Sequence, residues 1–245
     1  MRQGELFGQE LPELGGGDPS PPGDLERYFD AHTRGPGITK WWHYFPIYER
    51  HLHRFRGREV HLVEIGVFGG GSLPMWREYL GPRARVTGID IEPACKVHES
   101  ERISVVVGDQ GDRAFWQRFL AEGGPIDAII DDGSHRPADQ LCTLKAVLPR
   151  LRPGGVYICE DTHGTNNEFS RFVDGFTRNL DAGAPTLRPN SGYTSDTTPF
   201  QRGVASVHRY PFVTVIERTH LSVGRFEGPH RGTEWQPFHE AGWNT

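Results

Sequence analysis

Acidic side chains and histidines are concentrated in two short segments, Asp131-Asp132-Gly133-Ser134-His135 and Glu160-Asp161-Thr162-His163. Each segment follows an apolar run, so we expect both at the carboxyl ends of neighbouring parallel strands, where doubly wound sheets bind ligands. Carboxylates brought this close repel one another unless they are protonated or bridged by a cation. Oxygen ligands favour a hard ion, Mg²⁺ or else Mn²⁺ or Ca²⁺. We therefore predict a metal site at Asp132, Glu160 and Asp161.

A histidine stands beside this predicted site, because His135 follows Asp132 by three residues. Imidazole titrates near neutral pH, which makes His135 a candidate general base. The alternative to a metal site is that these acids cap turns or pair with arginines. The sequence constrains four other histidines less, and we interpret them as surface or packing residues: His43, His51, His163 and His208.

A glycine-rich segment, Val63-Glu64-Ile65-Gly66-Val67-Phe68-Gly69-Gly70-Gly71-Ser72, joins a predicted strand to a predicted helix. Glycines let the backbone turn sharply against a ligand, and a helix N-terminus offers free N–H groups. Asp90 lies 24 residues after Gly66, at the end of the second predicted strand, where an acid can accept hydrogen bonds from a ribose diol. The alternative is a tight turn that binds nothing.

The glycine segment lacks the dinucleotide fingerprint Gly-x-Gly-x-x-Gly, because Phe68 stands where the second glycine belongs. An acid at the strand end, Glu64, instead suits a cationic ligand such as the sulfonium of S-adenosylmethionine. Asp109, in Gly108-Asp109-Gln110 after the third strand, would then face the adenine.

The hydrophobic pattern that must position these residues alternates strands and helices. We predict strands at Val60–Val67, Arg85–Ile91, Ile103–Asp109, Ile126–Asp132 and Gly154–Asp161, and helices at Ser72–Leu80, Asp112–Glu122, about 138–151 and about 167–180. Short apolar strands that alternate with helices indicate βαβ units and a parallel sheet buried on both faces. The predicted fold class is α/β, a doubly wound sheet of order 3-2-1-4-5 closed by an antiparallel hairpin, Val204–Tyr210 and Phe212–Arg218.

The remaining segments surround this predicted sheet. Residues 1–24 are predicted to be a flexible tail, 25–245 a single domain, and 182–203, rich in Gly, Pro, Ser, Thr and Asn, a long variable surface loop. A helix is predicted at about 40–56. Its aromatic cluster, residues 41–48, is interpreted as core or subunit interface, with acceptor contact as the alternative.

Composition narrows the class of protein. The 245 residues carry a net charge of −5 and three cysteines, so neither a global attraction for nucleic acid nor a disulfide framework is expected. No run approaches the ~18 apolar residues of a membrane span, and the N-terminus lacks the apolar stretch of a signal peptide. We therefore expect a cytoplasmic protein without a membrane partner.

Seven segments in order complete a resemblance: Ile38-Thr39-Lys40-Trp41-Trp42-His43-Tyr44, Leu62–Val67, Gly70-Gly71-Ser72-Leu73, Gly88-Ile89-Asp90, Gly108-Asp109-Gln110, Ile130–His135 and Gly155–Asp161. Over residues 36–217 the chain resembles the metal-dependent class I methyltransferases of antibiotic biosynthesis. That family includes macrolide and calicheamicin deoxysugar O-methyltransferases and cephalosporin hydroxylase-like enzymes.

This resemblance implies roles for individual residues. Asp132, Glu160 and Asp161 would hold Mg²⁺, and His135 would be the base, with Asp132 beside it in catalysis. The residues implied to contact S-adenosylmethionine are Glu64, Gly66, Gly70, Ser72, Asp90, Asp109 and Gln110.

The implied function is methylation of a hydroxyl on a rhamnose-type deoxysugar, free as a nucleotide sugar or attached to a natural product. By analogy with the family we expect a homo-oligomer. Two other functions stay open, a non-catalytic assembly protein that binds S-adenosylmethionine and a metal-dependent hydrolase.

Overall fold

The central element of the fold is a seven-stranded sheet. The computed structural model describes residues 21–188 and 192–232, without the side chain of Arg188. The ten strands of the described residues, seven of which form this sheet, are β1 (His61–Ile65), β2 (Arg85–Asp90), β3 (Ile103–Val107), β4 (Ile126–Asp131), β5 (Leu151–Cys159), β6 (Thr186–Arg188), β7 (Gly192–Asp196), β8 (Val204–Tyr210), β9 (Val213–Arg218) and β10 (Arg225–Gly228). The sheet order is β3-β2-β1-β4-β5-β9-β8. β1 to β5 are parallel, and β9 pairs antiparallel with β5 and β8. The predicted order 3-2-1-4-5 and the closing hairpin are confirmed.

Helices follow the strands as the sequence pattern predicts. They are α1 (Asp24–Ala31), α2 (Phe45–Leu52), α3 (Ser72–Leu80), α4 (Arg113–Glu122), α5 (Pro137–Val147), α6 (Glu168–Thr177) and α7 (Pro199–Gly203). Short 3₁₀ turns flank α2 at Trp42–Tyr44 and His53–Phe55. The predicted helix over 138–151 ends earlier, at Val147, and a 3₁₀ turn follows at Leu148–Arg150. Pro149 has no N–H to continue the helical ladder.

The parallel strands bury both of their faces. Alternate residues of a strand point to opposite faces, so Leu62 and Ile130 join the core beneath α1, α2 and α3, whereas Val63 and Ile129 join the core beneath α4, α5 and α6. Large buried side chains fill both layers, including Tyr48, Trp76, Trp116 and Phe169. Burial on two faces explains why these strands read as continuous apolar runs.

The segment predicted as a long loop, 182–203, contains regular structure instead. β6 and β7 form a hairpin, and β7 pairs with β10 in a separate three-stranded antiparallel sheet. α7 follows with a reciprocal cap between Thr198 and Gln201. The loop prediction failed because the strand partner of β7 lies about thirty residues further along the chain, at 225–228.

Two predictions about chain organisation remain as predictions. Residues 1–20 of the predicted tail lie outside the described residues, and α1 begins at Asp24. The single-domain reading of 25–245 likewise stays a prediction. Among the described residues, no helix combines the length and the apolar character that crossing a bilayer requires.

A buried histidine at the start of β1 makes folding stability depend on pH. His61 Nε2 lies 2.9 Å from Thr87 Oγ1, and its Nδ1 lies 2.8 Å from the Arg85 guanidinium. Burial, aided by the charge of Arg85, lowers the pKa of His61 from 6.5 to about 4. The unfolded chain therefore binds the proton more readily than the folded chain. The contribution of neutral His61 to the free energy of unfolding is complete above pH 6.5 and is lost as the pH falls toward 4.

We expect His61→Gln to flatten the pH dependence of the free energy of unfolding between pH 4 and 6.5. Between pH 6.5 and 4, the wild type should lose about 3 kcal/mol more of its free energy of unfolding than the variant, since one pKa unit corresponds to about 1.4 kcal/mol. Urea unfolding at several pH values measures it. His53→Gln is the control, because His53 is exposed and its Nδ1 lies 3.0 and 3.2 Å from carbonyl oxygens of the last turn of α2. Parallel profiles for the wild type and His61→Gln would contradict the assignment.

Candidate active site

A cavity of about 550 Å³ opens at the carboxyl ends of the parallel strands. Residues 37–40 cover one side of it, and the ends of β1 to β5 with the turns that follow them line the rest. Most of the sequence-predicted site residues line this cavity: Gly66, Ser72, Asp90, Asp109, Gln110, Asp132, His135 and Asp161. The strand ends thus bring the two halves of the predicted site together.

The turn after β1 depends on a glycine. Gly66 has a φ of +90°, and a Cβ there would lie 2.1 Å from the carbonyl oxygen of Asp132. A side chain would therefore push the tips of β1 and β4 apart. Gly70, which was also predicted to touch the cofactor, is buried behind the cavity lining and packs against the ring of His98.

Asp90 fixes the shape of the glycine turn. The N–H groups of Val67 and Phe68 donate to its Oδ2 at 2.8 and 3.0 Å, and the N–H of Glu92 donates to Oδ1 at 2.9 Å. Partial burial opposes ionisation, but these N–H groups prevail and lower the pKa of Asp90. The carboxylate is therefore charged and positioned before any ligand arrives.

Glu64 does not line the cavity, although the sequence predicted it to contact the cofactor. It is fully buried, accepting hydrogen bonds from Ser72 Oγ at 2.6 Å and Trp76 Nε1 at 2.9 Å. Burial raises its pKa despite the neighbouring cation of Lys40. Glu64 therefore anchors the start of α3 behind the cavity wall.

Asp131 and Asp132 point to opposite sides of the sheet and do different work. Asp131 is buried and accepts hydrogen bonds from Tyr157 Oη at 2.6 Å and Gln110 Nε2 at 2.9 Å. Burial raises its pKa to about 6. Gln110 Oε1 in turn accepts from the Ser134 N–H at 2.6 Å. Asp131 and Gln110 together therefore support the turn that carries Asp132 and His135.

Lys40 lies where the carboxylates converge. Its Nζ lies 2.5 Å from Asp132 Oδ2, 3.0 Å from both oxygens of Glu160, and 3.7 Å from Glu64 Oε1. The side chain is 2% exposed. Burial alone would lower the pKa of Lys40, but the surrounding carboxylates outweigh burial and hold the pKa above its ordinary value. In the sequence Lys40 stands within the segment Ile38–Tyr44, and no local pattern indicates its contact with these acids.

The three predicted metal ligands, Asp132, Glu160 and Asp161, lie in different surroundings. Glu160 is 1% exposed and directs both carboxylate oxygens to Lys40. At this edge of the sheet, Asp132, His135 and Asp161 each offer a ligand atom, and these atoms lie within 4.8 Å of one another. Glu160 thus lies on the buried side of Lys40, where the neighbouring ammonium stabilises its carboxylate.

His135 bridges the two carboxylates at the mouth of the cavity. Its Nε2 lies 3.0 Å from Asp132 Oδ1 and 3.5 Å from Asp161 Oδ2, and its side chain is 40% exposed. The hydrogen bond with Asp132 raises the pKa of His135, against partial burial, and the nearby acids add to the rise. The imidazole is therefore accessible and oriented by an acid, as a proton acceptor requires.

Asp161 is held by aromatic side chains from the segment before α2. Tyr44 Oη donates to its Oδ1 at 2.7 Å, and Trp41 Nε1 donates to the same oxygen at 3.1 Å. Tyr44 is buried as the core interpretation predicted, whereas Trp41 is 52% exposed. Trp41 packs near Phe212 of the β8–β9 turn, with ring centroids 6.2 Å apart. The rings of Trp41 and Phe212 form the exposed aromatic wall beside Asp161.

Strained backbone marks the rim of the site. Among the described residues, five that are not glycine have positive φ, and four of them lie at the cavity or its aromatic wall: Phe68, His135, Asp161 and Phe212. Such conformations cost about 1–3 kcal/mol each and persist where the surrounding structure enforces them. Phe212 is held by its carbonyl, which accepts from the Thr162 N–H at 2.9 Å.

The donor set fits a divalent cation. One ammonium faces the carboxylates of Glu64, Asp132 and Glu160, so the cluster keeps an excess of negative charge. Burial and the charge of Asp132 raise the pKa of Glu160 to about 8, against the opposing effect of Lys40. A raised pKa is the direction expected where one ammonium does not offset the burial and mutual repulsion of several acids. Carboxylate oxygens from Asp132 and Asp161 are hard ligands of the Mg²⁺ and Ca²⁺ type.

Comparison with known proteins identifies the domain. Residues 63–162 match the family model described as a methyltransferase domain. The chain is 36% identical over 199 residues to the 8-demethyl-8-alpha-L-rhamnosyl tetracenomycin-C 2'-O-methyltransferase of Streptomyces olivaceus, covering 74% of this chain and 52% of that protein. It is 42% identical over 142 residues to the mycinamicin VI 2''-O-methyltransferase of Micromonospora griseorubida, covering 55% and 34%. The chain thus spans about half or less of these relatives.

A solved structure agrees with the fold. The MycE methyltransferase of the mycinamycin biosynthetic pathway, in complex with Mg and SAH, matches with a TM-score of 0.66 and 28% identity over 82% of this chain and 55% of that one. The fold is therefore that of class I methyltransferases, and the resemblance found in the sequence is confirmed.

Removing the Lys40 charge should destabilise the fold. We expect Lys40→Met to lower the free energy of unfolding by about 3–5 kcal/mol in metal-free buffer, because it leaves Glu160 and Glu64 buried without their cation. Denaturant unfolding measures this. Lys96→Met is the matched control; Lys96 is half exposed and pairs with Glu99, so its loss should cost about 1 kcal/mol or less. Equal losses in the two variants would remove Lys40 from this role.

Proposed function

Because residues 63–162 of the chain are a methyltransferase domain, we propose that the protein is an S-adenosylmethionine- and Mg²⁺-dependent O-methyltransferase. Its acceptor is a hydroxyl of a rhamnose-type deoxysugar on a natural product of antibiotic biosynthesis, as the names of its relatives suggest. The observation that carries this proposal is the convergence of Asp132, Asp161 and His135 at the mouth of the cavity.

The cavity suits S-adenosylmethionine. Its volume is in the range of small-molecule sites, and the bend at Gly66 opens it beside the start of α3. A carboxylate has about four acceptor positions, and three backbone N–H groups use only part of that capacity at Asp90. Asp90 can therefore still accept from a ribose diol. Asp109 is exposed at the same cavity, where it would face the adenine end.

Asp132 and Asp161 would hold the metal, with Glu160 and Lys40 setting the charge behind them. Bound there, Mg²⁺ would lower the pKa of an acceptor hydroxyl and help to orient it. The carboxylates that raise the pKa of His135 are the same ones that a divalent cation would neutralise. This would leave the imidazole better able to start the reaction in its neutral form.

His135 would take the proton from the acceptor hydroxyl as the oxygen attacks the methyl carbon. Asp132, 3.0 Å from His135 Nε2, orients the ring and stabilises its protonated form. Methyl transfer requires the attacking oxygen, the methyl carbon and the sulfur to lie in line, so positioning accounts for a large part of the catalysis. The enforced φ of His135 and Asp161 would keep these side chains in place.

The aromatic wall favours an acceptor that carries an apolar group. Trp41 and Phe212 are 52% and 43% exposed beside Asp161, and aromatic faces stack on flat apolar surfaces. Arg136, which also lines the cavity, pairs with Asp139. An acidic mouth whose nearby arginine is already paired suits a neutral glycoside better than a nucleotide diphosphate sugar.

We expect product of one added methyl group when the protein is incubated with S-adenosylmethionine, Mg²⁺ and a neutral rhamnoside bearing an aromatic aglycone. Mass spectrometry detects the product, and thymidine diphosphate rhamnose is the comparison acceptor. Chelation of divalent ions should abolish transfer and added Mg²⁺ should restore it. Full activity in chelator would refute the metal assignment, and release of a hydrolysis product without methylation would favour the hydrolase.

Replacing His135 should slow transfer without weakening cofactor binding. We expect His135→Asn to lower turnover by roughly 10²–10⁴-fold because the base is lost, whereas asparagine tolerates the positive φ of this position. Calorimetry with S-adenosylmethionine should give a dissociation constant close to the wild-type value. His163→Asn is the control at the same rim, 3.6 Å from Asp161. Unchanged turnover in His135→Asn would exclude His135 as the base.

A further inference from the structure

Outside the active site, two histidines and a glutamate meet where α2 packs on the β8–β9 hairpin. His51 comes from α2, His208 from β8 and Glu217 from β9. One ligand atom from each lies within 4.8 Å of the other two. We interpreted His51 and His208 as surface or packing residues from the sequence. The structure shows His51 as a packing residue, 3% exposed, whose two ring nitrogens contact polar groups.

The ring of His51 is oriented by its neighbours. Its Nδ1 lies 2.9 Å from Glu217 Oε1, and its Nε2 lies 3.0 Å from Tyr210 Oη. Metal-bound imidazoles are commonly fixed in this way, with the second ring nitrogen on a polar partner. Tyr210 therefore occupies the position of an outer partner and leaves Nδ1 facing the carboxylate.

The second histidine completes the group. The rings of His51 and His208 have centroids 4.8 Å apart and are tilted by 59°. His208 Nε2 lies 3.0 Å from Ser206 Oγ, so Nδ1 is the nitrogen that this contact leaves for a ligand. His208 is partly exposed, which gives an ion a path from solvent.

Arg54 restrains the carboxylate without covering both oxygens. Its guanidinium donates to Glu217 Oε1 at 2.7 Å and to the Gly154 carbonyl at 3.1 Å. Glu217 Oε2 has a longer contact, 3.4 Å, with Ser206 Oγ. Arg54 can thus orient the carboxylate through one oxygen while the other binds a cation.

We propose that His51, His208 and Glu217 form a second metal site, which binds a transition-metal ion of the Zn²⁺ type. Two imidazoles and one carboxylate are characteristic ligands of Zn²⁺, Co²⁺ and Ni²⁺, whereas Mg²⁺ prefers oxygen. The ion would join α2 to the hairpin whose turn contacts the active-site wall, since His43 Nε2 lies 3.1 Å from the Pro211 carbonyl oxygen. The site is structural and does not depend on the proposed methyl transfer.

The test titrates the full-length, metal-stripped protein with Co²⁺, followed by the visible absorption of bound cobalt, and then displaces the cobalt with Zn²⁺. We expect one equivalent that His208→Ala weakens by at least about 100-fold, because loss of an outer partner alone weakens metal binding 10–100-fold. His208→Cys should retain binding, since a thiolate is also a zinc ligand. His53→Ala is the matched control, because the exposed His53 contacts carbonyl oxygens of the last turn of α2.

A variant of the active site separates the two candidate metal sites. Cobalt held by Asp132 and Asp161 should be lost in Asp161→Asn and kept in His208→Ala. Cobalt at the proposed site should be kept in Asp161→Asn and weakened in His208→Ala. Absence of bound Co²⁺, or binding in His208→Ala as tight as in the wild type, would overturn the proposal. If His208→Ala does not fold, His208→Cys decides, because a new sulfur-to-cobalt charge-transfer band appears only if residue 208 is a ligand.

Discussion

An ammonium group buried among carboxylates holds the top of this sheet together. Lys40 precedes α2 in the chain, yet its Nζ reaches acids that lie on β1 and directly after β4 and β5. Buried carboxylates are costly unless a cation or a hydrogen-bond donor faces them. The segment 37–40, which covers one side of the cavity, is therefore tied to the sheet by the same charges that form the site.

Support and chemistry are divided between neighbouring residues. Asp131 and Glu64 are fully buried and bonded to uncharged donors such as Tyr157, Trp76 and Ser72. Asp132 and Asp161 lie beside them, partly exposed and facing His135. Burial on one side of the strand ends thus fixes the positions of the acids that remain accessible on the other.

Backbone strain at the rim adds to this order. His135 and Asp161 both adopt positive φ. The side chain of Asp132 contacts His135, and Tyr44, from a distant segment, donates a hydrogen bond to Asp161. A site that is rigid before its ligands bind loses less entropy when they do. Methyl transfer depends on alignment, so such preorganisation matches the chemistry that we propose.

The sequence alone was enough to predict the strands of the large sheet, the order of its parallel strands, the glycine turn and the acids at the strand ends. These features follow from apolar runs, from glycine and from the rule that parallel strands end at one edge, which are all local or topological signals. Asp132, His135 and Asp161 could therefore be predicted as neighbours.

The pairing of charges at that edge depends on contacts between segments far apart in the chain. Lys40 is separated from Asp132 by 92 residues and from Glu160 by 120, and no periodicity reports a contact over such distances. Contacts between distant segments also explain why Glu160 faces Lys40 and why Glu64 lies behind the cavity. They explain as well why β7, within the predicted loop 182–203, pairs with β10 at 225–228. The meeting of His51 with His208 and Glu217 likewise required the packing of α2 on a hairpin more than 150 residues away, because side-chain partners are set by which elements pack together.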